Sequence, residues 1–556
     1  MPINRGRADL SEKKDAPSIE YRPPASMVAL FFAVILAIAL VPILTTEILP
    51  LTDVPNHLAR AYIINNLSSN ETLRSYYATH WDLLRRPLSV QSTDFLFPPL
   101  YKLFGPFITV RIYVAVTFLL LAGGVAALHA ALFGRIGLWP AVSTLFFYNL
   151  LLAWGFVSCL FAMGLALLMF AGWISTARWP VLHRLLLFTA ATLVLLYCHF
   201  FVFATYAVMV GTYELARVRQ DSSISKTNRV RTLAISATPF MVPLGLAINS
   251  LFFSSGGTTF TQFGSIYNKI QAALSPVAMY VNAFDIVFAL AILALWLLLR
   301  HMRSLRSSPL TRAPFLALLV LAIITPNRLF DVWGADLRLP TFLVLMGIGS
   351  STLELKNRRQ TACFALGLTV LLVFRVGFVC RYWDKYQADF REIRSAMAGI
   401  DRGARVMALM GLHEYRKDPP PNDFAYWQVF SLAVIDRDVL LPRQFTFGTP
   451  LEFAGQALDI VSDRPTKTRP IKWRPRLPAF EKTDAQTIYQ AEALGEQLAI
   501  FDYFSSTIDW SDWPEHFDYF IDLDFGRPED PVPALLTPIA SGSYFTIYRI
   551  HPPDSR

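Results

Sequence analysis

Eleven apolar segments, separated by polar connections, run through the first two-thirds of the chain and constrain its fold more than any motif. The first, residues 27–46 (MVALFFAVILAIALVPILTT), offers about 20 nearly uninterrupted apolar residues. That is what a hydrocarbon core about 30 Å thick asks of one helix. Further spans are expected at 108–133, 139–152, 155–173, 183–199, 201–215, 232–253, 277–299, 313–326, 338–353 and 361–380. The expected fold class is therefore a polytopic α-helical membrane protein, with residues 27–380 as its transmembrane domain. Residues 1–26, with Pro23 and Pro24, read as a polar cytoplasmic tail. No small-x-small site follows the first span, so it is read as a retained helix rather than a cleaved signal peptide.

Composition agrees. Of 556 residues, 54% are hydrophobic and 16% charged, against about 45–50% and about 25% in soluble domains. This excludes a disordered chain, a coiled coil and a purely soluble enzyme. Four cysteines, all in or beside apolar spans, exclude a disulfide scaffold.

Charge divides the chain. Residues 1–380 carry 30 Lys and Arg against 15 Asp and Glu, and residues 381–556 carry 20 against 26. The basic excess belongs to the membrane part and gives no reason to expect a nucleic-acid partner. It alternates from connection to connection. Arg217, Arg219, Lys226, Arg229 and Arg231 share one loop; Arg300, Arg303, Arg306 and Arg312 the next; Lys356, Arg358 and Arg359 another. The intervening loops are poor in basic residues. Basic loops stay in the cytoplasm, so the first loop (47–107) and the tail (381–556) are expected outside it, in a multi-pass protein of the cell membrane, most simply a bacterial inner membrane.

The tail alternates expected strands (Arg405–Met410, Phe517–Leu523, Tyr544–Ile550) with expected helices (Phe390–Ile400, Gln486–Phe504), which predicts a C-terminal soluble α/β domain. It has no metal, P-loop or nucleotide fingerprint. In the first loop, Asn56–Leu67 and Asn70–Thr79 are expected to form short helices along the membrane.

Chemistry-bearing residues gather on the outer side. Glu47-Ile-Leu-Pro-Leu-Thr-Asp53-Val-Pro-Asn-His57-Leu-Ala-Arg60 places an acid, an imidazole and a guanidinium at the mouth of the first span. On a helix starting near Asn56, His57 and Arg60 share a face. Asp53 has two readings, general base for a substrate hydroxyl or simple helix cap. Ser92-Thr93-Asp94-Phe95-Leu96-Phe97-Pro98-Pro99-Leu100-Tyr101 leads rigidly into the second span, with Asp94 as acceptor contact or cap. The late outer loop holds Arg328, Asp336 and Arg338. Arg338 suits a phosphate, or else pairs with Asp336 or snorkels. His199, at an outer turn, lines the same cavity or satisfies a backbone carbonyl.

Asp53-Val-Pro-Asn-His57 and Pro98-Pro99-Leu100-Tyr101 together resemble the GT-C superfamily of membrane glycosyltransferases. That group includes lipid A aminoarabinose transferases, protein O-mannosyltransferases and bacterial polyprenyl-phosphate-sugar transferases. The resemblance implies inverting transfer of a sugar, on the outer face, from a polyprenyl-phosphate donor to a lipid, glycan or protein acceptor, with membrane lipids around the spans. It implies Asp53 as the catalytic base and His57, Arg60, Asp94, His199, Arg328, Asp336 and Arg338 as substrate-binding residues. Asp53 is followed by Val54 rather than a second acid, so no metal ligand is assigned and a divalent metal stays open. A transporter or flippase of a lipid-linked substrate is the alternative, and a non-catalytic envelope-assembly protein is a third. Transport favours charges near the bilayer midplane, whereas here Asp53, Asp94, Asp331 and Asp336 crowd the rim, with Asp285 in or at the end of a span.

Overall fold

The computed structural model describes residues 21–220, 225–253, 261–280, 282–302, 304–329, 332–410, 424–442, 444–446, 449–455, 457, 513–523 and 535–551. In chain order its principal helices are α1 (Ala25–Thr45), α2 (Val54–Asn66), α3 (Glu71–Tyr76), α4 (Ser92–Phe104), α5 (Pro106–Phe133), α6 (Leu150–Ala153), α7 (Val157–Ser175), α8 (Val181–Cys198) and α9 (Phe200–Gln220). They continue with α10 (Lys226–Phe253), α11 (Ile266–Leu274), α12 (Ala283–His301), α13 (Arg312–Ile324), α14 (Ala335–Gly349), α15 (Arg358–Met397) and α16 (Leu432–Arg437).

Among the described residues, seven helices are long and apolar enough to cross a membrane: α1, α5, α7, α8, α10, α12 and α15. Their outer faces are apolar and exposed, as at Leu182, Leu186 and Val194 of α8 and Val287, Leu290 and Leu297 of α12. Exposure on that scale suits hydrocarbon rather than water. In α1 the opposite face is buried at Ile35, Ala39 and Ile43, four residues apart and so on one stripe. At the crossing of α5 and α7, a Cβ on Gly124 would stand 2.7 Å from the Gly164 carbonyl oxygen, and one on Gly164 would stand 2.7 Å from the Leu120 carbonyl carbon. The two backbones touch because neither position has a side chain, the small-residue packing that membrane helices use.

The other four expected spans come out differently. α9 takes in 201–215, while α13 and α14 end at Ile324 and Gly349, before the expected 326 and 353, and with 13 and 15 residues fall short of a simple crossing. The stretch 139–152 is not one helix at all. Trp139–Phe146 winds as a 3-10 helix and α6 adds a single turn. The segment still runs a span's length. Trp139 stacks on Phe364 near the start of α15, whereas Trp154 packs on Trp333 with ring centroids 4.3 Å apart and its carbonyl accepts from the Asp53 N–H. Residues 138–155 are all buried. Irregular backbone at membrane depth persists only where protein encloses it and satisfies its polar groups.

Arg375 of α15 does part of that work. Its Nη2 donates to the carbonyls of Tyr148 (2.6 Å) and Val277 (2.8 Å), and its Nη1 pairs with Asp285 at 2.6 Å. Asp285 in turn accepts from the N–H groups of Met279 and Tyr280. One buried ion pair thus ties three stretches of non-helical or helix-end backbone to the longest helix.

The two ends of the helical body are distinct. At one end β2 (Leu305–Ser307) pairs antiparallel with β3 (Ser351–Leu353), the Tyr21 N–H donates to the Leu355 carbonyl, and His129 bonds the Ser351 carbonyl. These are the loops rich in Arg and Lys. At the other end lie the first loop, the 261–282 and 325–334 connections and the tail.

α15 is 40 residues long, about 60 Å at 1.5 Å per residue, twice a hydrocarbon core. In its second half Trp383, Tyr386, Phe390, Ile393 and Met397 are all buried; Trp383 packs on Tyr148, and Tyr386 and Phe390 pack on Tyr426 of the tail. The expected boundary after residue 380 falls inside this helix. The described part of the tail contains a four-stranded sheet in the order β4 (Val406–Met410), β6 (Tyr519–Leu523), β8 (Thr546–Ile550), β7 (Leu536–Ser541). β4 and β6 are parallel and the other pairs antiparallel. The expected helix Phe390–Ile400 is the end of α15; Gln486–Phe504 lies outside the described residues. The expected helix Asn70–Thr79 stops at Tyr76, because Tyr77–Thr79 (β1) pairs with Leu451–Phe453 (β5) of the tail.

Candidate active site

Asp53 stands at the N-cap of α2, followed by Pro55 at a position where a helix loses no N–H bond. Its carboxylate makes no capping hydrogen bond. The cap reading of this residue therefore fails in its specific form. The backbone around it is fixed instead. The Thr52 and Asp53 N–H groups donate to the carbonyls of Ala153 and Trp154. Gly155 follows with φ +80°, and a Cβ there would lie 2.6 Å from the Asp53 nitrogen. Only glycine accepts both the left-handed conformation and this approach. Burial pushes the Asp53 carboxyl up from 3.8 to about 7, against the nearby guanidinium groups of Arg338 and Arg60, which pull it down.

Arg60, about two turns further along α2, is 1% exposed. Its Nη2 pairs with Asp94 Oδ1 at 2.6 Å and donates to His57 Nδ1 at 2.9 Å. A guanidinium only donates, so His57 accepts at Nδ1 and its proton sits on Nε2. Burial and then the Arg60 charge hold His57 well below its usual value, in the neutral form. The His57 ring packs edge-on against Phe97 and Phe445. Asp94 both caps and pairs: Oδ2 accepts from the Gln91 N–H at 2.8 Å at the start of α4 while Oδ1 holds Arg60. Arg60 Nη1 is buried without a hydrogen-bond partner.

Arg338 enters from α14, whose N-cap Gly334 is left-handed. It forms no ion pair with Asp336. Nη1 donates to the Trp333 carbonyl at 3.0 Å, the guanidinium lies 4.5 Å from the Phe156 ring centroid, and Nε has no partner. Asp336 instead pairs with Lys269 of α11 at 3.2 Å and accepts from Asn327 at 3.4 Å. Lys269 also donates to the Thr325 carbonyl. His199, between α8 and α9, lies close enough to Arg338 for burial and then the guanidinium charge to hold it neutral, and its buried Nδ1 lacks a partner among the described residues.

Asp53, His57, Arg60, Asp94, His199 and Arg338 thus converge, with Asp336 one step behind Arg338. Arg328 lies in the neighbouring loop, where its backbone exchanges hydrogen bonds with Gln262. Sequence reasoning missed the aromatic walls Trp154, Phe156 and Trp333 and the fixing role of Gly155. A glycine between two aromatics, Trp154-Gly155-Phe156, at the junction of two apolar runs is the signal the sequence offers. Among the described residues, no group of three or more His, Cys, Asp or Glu side chains converges as a metal ion requires.

The tail closes the site from above. Asn56 donates to Gln428 at 3.2 Å and accepts from the Gln444 side chain at 2.7 Å and the Phe445 N–H at 2.9 Å. Tyr77 and Asp438 continue the seam, with the Tyr77 hydroxyl donating to the Val439 carbonyl and the Tyr62 hydroxyl to Asp438.

No protein-family model matches the chain, and no curated protein matches it. Among solved structures it is similar to one described as the crystal structure of ArnT from Cupriavidus metallidurans bound to undecaprenyl phosphate. Identity is 12%, the TM-score is 0.46, and the alignment covers 95% of this chain and 98% of that one. A likeness this distant assigns neither a fold family nor an activity.

Proposed function

We propose that the protein is a membrane glycosyltransferase that moves a sugar from a polyprenyl-phosphate donor to an envelope acceptor, at the end of the helical body opposite its basic loops. One observation carries the reading: a carboxylate with no capping hydrogen bond, held on a fixed backbone near two buried guanidinium groups whose Nη1 and Nε are unpartnered among the described residues. A base and a permanent cation in one recess are what an acceptor hydroxyl and a phosphate leaving group need.

In this mechanism Asp53 takes the proton from the acceptor hydroxyl as its oxygen forms the new bond to the anomeric carbon. The bond from that carbon to the phosphate oxygen breaks on the opposite side, so configuration inverts. The electron pair leaves with the phosphate, and Arg338, assisted by Arg60, stabilises the charge. Asp94 and His57 hold Arg60 in place, and Asp336 pairs directly with Lys269, so Arg338 keeps its Nε for the phosphate. Asp285, the acid a transport pathway would use, is tied to Arg375 and to two backbone N–H groups, which favours transfer over transport.

The test incubates the purified full chain with a panel of polyprenyl-phosphate pentoses and hexoses, together with an envelope extract that supplies lipid, glycan and protein acceptors, and measures release of polyprenyl phosphate and appearance of the sugar on an acceptor. Release with at least one donor, lost by about 10² to 10⁴-fold in Asp53→Asn while donor binding is retained, is expected. Release at the parent rate by a folded Asp53→Asn overturns Asp53 as base, and no release with any donor overturns the class.

A further inference from the structure

α12 is fastened at both ends and stands away from the body between them. At its start Asp285 pairs with Arg375 and Phe284 stacks on Phe378 with centroids 3.7 Å apart. At its end the chain passes into β2, paired with β3. Between these fastenings a cavity of about 910 Å³ opens among α12, α13, α14, α15 and the 3-10 segment 139–146. Its wall is apolar, with Trp296 and Leu293 on one side and Phe315, Val344 and Leu368 on the other.

The cavity lies at the basic end. Arg300 and Arg312 stand at its edge, exposed and without an ion pair among the described residues. Ser350, buried at 4% exposure, also lines it, and its hydroxyl has no hydrogen-bond partner among the described residues. Protein interiors do not sustain an apolar void of this size, since the lining loses its dispersion contacts. It falls instead in the range of ligand pockets, apolar with a few polar groups at one side. Basic pockets between membrane helices on the cytoplasmic side take anionic headgroups.

We infer that this cleft is a binding site for an acidic phospholipid, acyl chain between α12 and α14 and headgroup phosphate on Arg300, Arg312 and the Ser350 hydroxyl. The site is separate from the recess around Asp53. Arg338 sits in the first turns of α14, whereas the cavity is lined by Leu343, Val344, Gly347 and Ile348 and ends at Ser350 and Ser351, beyond its last turn. A lipid bound here has its headgroup at the opposite membrane face from the phosphate of the proposed donor.

Cys363 lines the cavity and is exposed, while Cys159 is buried and Cys198 and Cys380 partly so. It serves as the reporter. The full chain is placed in nanodiscs of phosphatidylglycerol with phosphatidylcholine, or of phosphatidylcholine alone, and maleimide modification of the Cys363 peptide is followed by mass spectrometry. Lipids carried through detergent purification are identified on the intact protein in parallel. Phosphatidylglycerol should slow Cys363 modification relative to phosphatidylcholine and should be retained preferentially. The preference should be about fivefold per arginine and so about thirtyfold for the pair, and it should vanish in Arg300→Gln/Arg312→Gln. Equal protection by both lipids, or a preference unchanged in the double variant, overturns the site. So does protection only by added polyprenyl phosphate, which would make the cleft the seat of a donor chain. The wild-type comparison stands alone if the double variant misfolds, and no arm depends on sugar transfer.

Discussion

At the scale of single residues, the chemistry rests on what holds Asp53 away from its ordinary state. Its carboxyl titrates near 7 because burial outweighs two cations, so only above that pH is it fully a base. Turnover at limiting substrate should rise about tenfold per pH unit below 7 and level off above it. Arg338→Gln removes a charge that lowers the value, so the midpoint should move to higher pH as well as the rate falling; a rate loss with an unmoved midpoint would place Arg338 out of reach of Asp53. The same shift bears on stability. A folded-state value near 7 against 3.8 unfolded means the folded chain holds this proton more tightly. Its contribution is then greatest below 3.8 and is lost as pH rises toward 7, by at most about 1.4 kcal/mol per unit. Asp53→Asn does not titrate, so its melting temperature should exceed the parent's near pH 8 and the gain should shrink toward pH 5. A residue serving as a helix cap would give the opposite sign, a loss of about 1 kcal/mol. The sequence made Asp53, His57, Arg60 and Asp94 legible because they sit in two short polar runs beside apolar spans. That Asp94 and His57 grip Arg60, while Arg338 makes no direct ion pair with its near neighbour Asp336, depends on side-chain directions that spacing alone does not fix.

Among the elements, the least regular one organises the most. The 139–153 segment reads in sequence as another span, since composition registers only that its surroundings are apolar. Composition does not distinguish a helix facing lipid from irregular chain enclosed by protein, and the partner that makes the second possible, Arg375, is more than 200 residues away. Its neighbours in sequence are apolar, and nothing local marks it as anything but a costly charge in a span. Arg375→Leu removes the ion pair and leaves the carbonyls of Tyr148 and Val277 without their donor. The expected cost is about 3–5 kcal/mol, read as a large drop in melting temperature in detergent. Because those two carbonyls need a donor whatever Asp285 does, adding Asp285→Asn should restore only a small part. Full recovery in the double variant would mean the ion pair alone mattered. The helices with strong apolar runs, α1, α5, α7, α8, α10, α12 and α15, were readable for the reason the 3-10 segment was not: each satisfies its own backbone.

For the whole molecule, the issue is which loops share a side. The alternation of basic connections is a statement about sides made without coordinates, and the contacts group the same loops: 21, 129, 304–308 and 350–355 at one end, the first loop, 153–155, 262, 328 and the tail at the other. This grouping requires the non-helical 139–153 segment to carry the chain from the first end to the second. If it did not cross, the parity of everything after it would invert, and Asp53 could not meet Gly155 and Arg338 in one recess. Single cysteines placed at Ile136, Lys356 and Ser69, all exposed, test this directly in a cysteine-depleted but folded chain. An impermeant maleimide applied to intact cells should label Ser69→Cys and leave Ile136→Cys and Lys356→Cys unmodified until the membrane is opened. The decisive position is Ile136, three residues before the 3-10 segment begins. Labelling there together with Ser69→Cys would mean that α5 does not separate the two ends, and the recess built from the first loop, residue 155 and α14 would come apart with it. Labelling of Lys356→Cys from outside would instead leave the recess intact and reverse the reading of which end faces the cytoplasm. In that case the basic loops and the acidic-lipid cleft would lie on the outer face, and a donor phosphate at Arg338 would belong to the inner one.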